Sequence, residues 1–132
     1  MTVFSKIIDG TIPSKKVYEG EQFLAFLDIS QATKGNTLII PKDPTISVLT
    51  ASPKVVGEIN ILAQKIAKHY VEHLGAKGIN ILSNANAVAG QTVDHYHVHV
   101  IPRYHEDELA FKTKDQSINL EEVHAEIIES FK

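Results

Sequence analysis

Three histidines stand at alternate positions in the run Asp94-His-Tyr-His-Val-His-Val-Ile-Pro-Arg103, with apolar residues in the gaps. Side chains two apart on a strand share a face, whereas a helix would scatter the three rings around its axis. His95, His97 and His99 are therefore expected together on one face, with Tyr96, Val98 and Val100 packed into a core. The apolar partners fix that register, so the imidazoles should emerge into one cleft or surface. Imidazole is suited to general acid–base and nucleophilic work near neutral pH. It is also a zinc ligand, and residues at i and i+2 can converge on one ion. A solvated strand face is the third reading, though histidine is an uncommon residue to cluster by chance. Against a metal, the only adjacent carboxylate is Asp94, which alternation turns to the opposite face.

The residues upstream favour chemistry on a phosphate. Residues 84–93, Asn-Ala-Asn-Ala-Val-Ala-Gly-Gln-Thr-Val, form a small glycine-containing loop leading into the histidines. Gln91 and Thr92 bring an amide and a hydroxyl beside the imidazoles, and Asn84 ends the preceding strand. Neutral donors and an exposed loop backbone suit phosphate oxygens. Taken alone, a Gly-Gln-Thr loop is more often an ordinary turn.

These groups need elements to hold them. Phe4–Ile8 is predicted as a short helix ending at Gly10, with Pro13 beyond it as a stop. Strands are expected over Lys16–Tyr18 and Gln22–Leu27, joined by a Glu-Gly-Glu turn, and over Asn36–Ile40, closed by Pro41. Ser52 as N-cap, Pro53 in the first turn and Gly75 as terminator bound one long helix from Pro53 to Leu74. Val55, Ile59, Leu62, Ile66 and Tyr70, flanked by Val56, Ala63, Ala67 and Val71, give it a broad apolar face. Gly78–Ser83 and Tyr96–Ile101 are the last expected strands, and residues 119–131 read as a terminal helix. Strands on both sides of one central helix predict an α+β fold with a mainly antiparallel sheet.

The run His95-Tyr-His97-Val-His99-Val-Ile, preceded by Gly90-Gln91-Thr92-Val93, resembles the signature of the histidine triad (HIT) family. Phe26-Leu-Asp28-Ile29, Phe4-Ser-Lys-Ile7-Ile8, Ile12-Pro13 and Leu38-Ile-Ile-Pro41-Lys42 are similar to other family segments, so the resemblance spans nearly the whole chain. It implies a single HIT domain over residues 1–132, with a five-stranded antiparallel sheet, one long central helix and a C-terminal helix. It further implies a nucleotide hydrolase or transferase working through a nucleotidyl–histidine intermediate. By the same resemblance His97 is the nucleophile and His99 contacts the phosphate and assists proton transfer. The main-chain carbonyl of His95 orients the ring of His97. Gln91 and Thr92 face the scissile bond and phosphate, with Asn84 as another polar contact. Asp28 accepts from ribose hydroxyls, and Phe4, Ile7, Phe26 and Ile29 wall the base pocket. A purine nucleotide is the implied ligand and a homodimer, sharing one extended sheet, the implied assembly. Elementary chemistry agrees: an unperturbed imidazole, with pKa ~6.5, approaches an anionic phosphate without charge repulsion. No cofactor or metal is required.

Three functions stay open. Nucleotidyl-amines (phosphoramidates) are the first expectation, and dinucleoside polyphosphates or nucleotidyl transfer are close behind. A non-catalytic nucleotide-binding module is the alternative from another class.

One departure stands out. Many bacterial relatives carry Cys-x-x-Cys near the amino terminus and a histidine after the central strand, completing a zinc site with the first triad histidine. Here those positions are Thr2, Ser5 and Pro44, so that structural zinc site is expected to be lost. His69 and His73, four apart on the long helix, read as a solvated edge without a third ligand, and His105 and His124 as surface residues.

The composition sets outer limits. At 132 residues, 43% hydrophobic and 22% charged, the chain suits one globular domain. The net charge of −3, with signs intermixed, offers no basic face for nucleic acid, and Lys15-Lys16 is an isolated basic doublet. No apolar run approaches a bilayer span, no secretory leader pattern is evident, and a cytoplasmic location is expected. Cysteine is absent, which excludes thiol catalysis and thiolate metal sites.

Overall fold

In the computed structural model, which describes residues 1–132, short runs rich in β-branched and aromatic residues build the strands and the three- and four-residue apolar repeat builds the long helix. The elements run α1 (Val3–Ile8), β1 (Lys16–Glu19), β2 (Phe23–Leu27), β3 (Thr37–Pro41), α2 (Pro53–His73), β4 (Gly78–Leu82), β5 (Val98–Arg103) and α3 (Leu120–Ser130). The strands form one five-stranded sheet in the order β1-β2-β3-β5-β4, antiparallel at every pairing. The architecture is the expected α+β.

Alternation divides the apolar residues between the two sides. On one side Phe23, Ala25, Ile39, Val98 and Val100 pack against Ile59, Ala63, Ile66 and Tyr70 of α2. Full burial of a side chain such as Ile39 or Ile59 contributes about 2–3 kcal/mol. Tyr70 also has a polar anchor there, its hydroxyl 2.6 Å from the Thr37 hydroxyl. On the other side Leu24, Phe26, Leu38 and Ile40 meet Phe4 and Ile7 of α1. Each helix end is set locally. The Ser52 hydroxyl accepts from the Val55 N–H at 3.2 Å, and Pro53 needs no partner in the first turn. Val71, expected on the buried face of α2, lies outside it and is 46% exposed.

The histidine segment departs from expectation in a way that matters. The strand expected over Tyr96–Ile101 pairs over Val98–Arg103. β3 reaches only as far as the Ile39–Val98 pair, so His95 and His97 lie in an unpaired lead-in. There the loop after β3 takes over, with Thr45 O accepting from the Tyr96 N–H at 2.7 Å. At the other end β5 continues through Pro102. Beyond Val100 it pairs with β4 alone, so the missing proline N–H interrupts only one ladder.

The terminal helix α3 forms as expected but has no buried residue, and residues 110–122 leading into and opening it are all exposed. Its N-cap is Asn119, whose side chain accepts from the Glu122 N–H at 3.1 Å. Leu120, Ile127, Ile128 and Phe131 stay in solvent in the isolated chain.

Candidate active site

The histidine lead-in is built as a two-step hydrogen-bonded relay. His95 Nε2–H donates to the Pro41 carbonyl at 2.8 Å. The His95 carbonyl in turn accepts from His97 Nδ1–H at 2.7 Å. A carbonyl can only accept, so both tautomers follow: the proton of neutral His97 sits on Nδ1 and its Nε2 keeps a lone pair. The His97 carbonyl is also held, by the Ser83 hydroxyl at 3.1 Å. The His97 and His99 rings meet edge to face, with centroids 5.0 Å apart.

All three imidazoles share one side, as alternation requires, but that side does not open freely to solvent. His95 is 1% and His97 5% exposed, and His99 is half-buried. The roof is α1, whose Phe4 ring sits edge-on at 5.1 Å from His97 and 6.0 Å from His95. Strand alternation reveals which rings share a face and carries no information about what covers it. Burial pulls the His95 pKa below the ordinary imidazole value, against the bond to Pro41, which favours protonation; the charge of His97 adds to the lowering. Burial and then His97 lower His99 likewise, while the Asp28 carboxylate opposes. Both rings are therefore biased to the neutral form.

The loop preceding the triad is braced from within, and Gln91 does the bracing. Its Nε2 donates to Ile46 O at 2.6 Å and Val93 O at 3.0 Å, while Oε1 accepts from the Asn86 N–H at 2.8 Å. The side chain is buried with both its donor hydrogens engaged. Where the resemblance implies an amide turned to a scissile bond, the Gln91 amide here joins the loop after β3 to the loop before β5. Thr92, next along, is exposed with an unengaged hydroxyl. Asn84 Nδ2 reaches Gly90 O at 3.4 Å, a marginal bond. Gly90 has φ +102°, and a Cβ there would sit 3.2 Å from Asn84 Nδ2, so glycine lets the loop close over that amide.

On the nucleoside side, Phe4, Ile7 and Phe26 come together in one apolar cluster. Ile29 does not join them. It lies beyond the end of β2 and is fully exposed, because the chain turns at Asp28 into a loop. Val93 packs on that cluster instead, with Ile8 and Ile12. Val93 belongs to the Gly-Gln-Thr-Val lead-in, but nothing in the local pattern points it at the apolar cluster. Asp28 is half-buried, its Oδ1 accepting from the Ser30 N–H at 2.9 Å, which leaves Oδ2 unengaged.

The residues at the family's zinc positions do not fit zinc. Thr2 and Ser5 form a capping box on α1: the Ser5 N–H donates to Thr2 Oγ1 at 3.2 Å and the Thr2 N–H to Ser5 Oγ at 3.4 Å. Neutral hydroxyls are poor zinc ligands, Pro44 has no side-chain donor, and His95 Nε2 is committed as a hydrogen-bond donor to the Pro41 carbonyl. His69 and His73 lie exposed with ring centroids 4.5 Å apart, and no cluster of three ligating side chains includes them. His105 and His124 are exposed. A groove of about 600 Å3 lined by Lys77, Asn80, Arg103 and Tyr104 contains none of the triad, whose first two rings Phe4 covers.

Comparison with known proteins brings the whole chain into one set. The family model described as the HIT domain matches residues 9–106. The protein Hit of Bacillus subtilis is 48% identical over 102 residues, covering 77% of this chain and 70% of its own. An adenosine 5′-monophosphoramidase of Schizosaccharomyces pombe is 37% identical over 105 residues, 80% of this chain and 75% of its own. Among solved structures, a HIT family protein from Bacillus anthracis superposes with a TM-score of 0.85 at 41% identity, covering 98% of this chain and 96% of that one. No helix is long and apolar enough to cross a membrane.

Proposed function

The chain belongs to the HIT family, and from that premise we propose that it hydrolyses purine nucleoside 5′-monophosphate derivatives, phosphoramidates first, through a nucleotide bound covalently to His97. The observation that carries the reading is the 2.7 Å bond from His97 Nδ1 to the His95 carbonyl, which leaves Nε2 as a free nucleophile. The likeness to an adenosine 5′-monophosphoramidase supports the substrate class.

In this reading His97 Nε2 attacks the α-phosphorus as the bond to the leaving nitrogen breaks. The nitrogen departs with the bonding pair and takes a proton, passed through His99. Water then attacks the same phosphorus and gives a proton back to His99, the P–Nε2 bond breaks, and the electron pair returns to the ring. The products are the free amine and the nucleoside monophosphate. Attack at phosphorus places the most charge on the non-bridging oxygens, where the exposed Thr92 hydroxyl and the Asn84 amide are the neutral donors. Asp28 Oδ2 accepts from the ribose hydroxyls, and Phe4, Ile7 and Phe26 bound the base. Gln91 acts by holding the loop.

Steady-state assays of the purified protein with an adenosine phosphoramidate and a diadenosine polyphosphate, side by side, test the substrate. We expect a higher kcat/KM for the phosphoramidate. The opposite order would move the activity to phosphoanhydrides, and nucleotide binding without turnover of either would make the chain a binding module.

We further propose a homodimer. The apolar residues of α3 have no cover within one chain, and β4 is an edge strand with one side unpaired. Sedimentation at micromolar concentration should give twice the chain mass, and a monomer there would refute the assembly.

A further inference from the structure

We infer that Gln31 is a positioning residue for the nucleoside end of the site, holding the loop that presents Asp28; the inference rests on the proposed contact between Asp28 and ribose. The loop spans residues 28–36, between β2 and β3, and its neck is one backbone bond, Asp28 N–H to Asn36 O at 2.9 Å. Gln31 closes it from inside. Its Nε2 donates to Asp28 O at 2.7 Å and to Asn36 O at 2.9 Å, and its Oε1 accepts from the Gly35 N–H at 2.8 Å. One side-chain amide thus engages both ends of the loop and its far turn.

Gln31 is exposed, so water could satisfy the amide at no cost in burial. That it instead makes three intramolecular bonds, each within the strong range, means its conformation is set by the loop and the loop by it. The far side of the loop is fixed independently. Gly35 has φ +94°, and a Cβ there would meet Leu74 at 3.0 Å and Pro102 at 3.2 Å, so this turn lies tight on the body of the protein. The Tyr104 hydroxyl donates to Lys34 O at 2.8 Å. The near side, where Asp28 leaves β2, has no such wall: Ile29 and Ser30 are exposed. Gln31 transmits the fixed position of residues 35 and 36 to the carbonyl of residue 28. Asp28 already spends Oδ1 on the Ser30 N–H, so the direction of Oδ2 follows the backbone of residues 28–30. A shift in that backbone re-aims the one oxygen free to meet ribose.

The test reads sugar selectivity by calorimetry, using adenosine 5′-monophosphate and its 2′,3′-dideoxy analogue, and needs no turnover. Wild type should bind the ribonucleotide more tightly, and Asp28→Ala should bind the two alike. Gln31→Ala should weaken the ribonucleotide by roughly 5-fold and leave the dideoxy analogue unchanged, the loss of about one hydrogen bond's worth of preorganisation. Gln31→Glu should not restore selectivity, because a carboxylate has no hydrogen for the carbonyls of Asp28 and Asn36. Its melting temperature should stay near wild type. If Asp28→Ala loses selectivity while Gln31→Ala keeps it, the inference is wrong and the ribose contact stands. If Asp28→Ala keeps selectivity, the ribose contact is wrong and the inference goes with it. Equal weakening of both nucleotides by Gln31→Ala would show a general structural role and overturn the positioning one.

Discussion

His97→Ala should lower turnover by about 1,000-fold or more while changing nucleoside monophosphate affinity by less than about 10-fold. The side chain removed carries Nε2, the nitrogen left free on His97 by the bond to the His95 carbonyl, and the groups proposed to bind ribose and base are other side chains. His97→Asn should behave alike, since an amide nitrogen has no lone pair to give phosphorus. His99→Ala should be milder, because it removes a proton path and leaves the bond-forming atom. Rapid acid-free quenching of the wild type during turnover should trap a nucleotide on His97. Wild-type turnover in His97→Ala, or an adduct on another residue, would end the covalent reading.

His95→Ala should act mainly on stability. It empties a site that is 1% exposed, leaves the buried Pro41 carbonyl without its donor and opens space beside Phe4. The combined loss should be about 3 kcal/mol, read from urea unfolding. Turnover should fall far less than in His97→Ala, because the carbonyl that receives His97 Nδ1–H belongs to the backbone and survives the substitution. The same residue predicts a pH dependence. Burial holds His95 and His99 below the ordinary imidazole value, so the unfolded chain takes up protons first on acidification. Their contribution to stability is complete above about pH 6.5 and is lost as pH falls through the depressed folded-state values. The wild-type melting temperature should therefore drop between about pH 7 and pH 5, and His95→Ala should show a shallower drop. An equal or steeper slope in the variant would remove His95 as a source.

The elements with strong periodicity were legible in the amino-acid sequence. The apolar face of α2 and the short apolar runs of β2 and β3, bounded by turn residues and Pro41, led to the observed sheet and its covering helix, because burial rewards those patterns wherever they occur. The shared side of the three histidines was legible for the same reason. What covers them was not. Phe4 roofs His95 and His97 through a contact spanning more than ninety residues, and local pattern does not encode which helix folds back onto which strand. Gln91 looked like a phosphate donor because its type and place allow it; three backbone groups from two loops engage it in the folded chain, and only folding brings Ile46 beside it. Ile29 was placed in the base-pocket wall by the family resemblance alone; it lies past the end of β2 and is fully exposed in the isolated chain, a loop position that strand pattern does not describe.

The capping box at Thr2 and Ser5 bears on the conditions the protein withstands. Where the family resemblance implies thiolates and an ion, this corner is fastened by two hydroxyls and two backbone N–H groups. Hydroxyls do not oxidise to sulfenic acids or disulfides, and nothing at this corner can be stripped by competition for zinc. The chain has no cysteine, and its one methionine, Met1, is exposed to solvent. Peroxide stress and metal starvation, which loosen a thiolate corner together, should both leave this one in place.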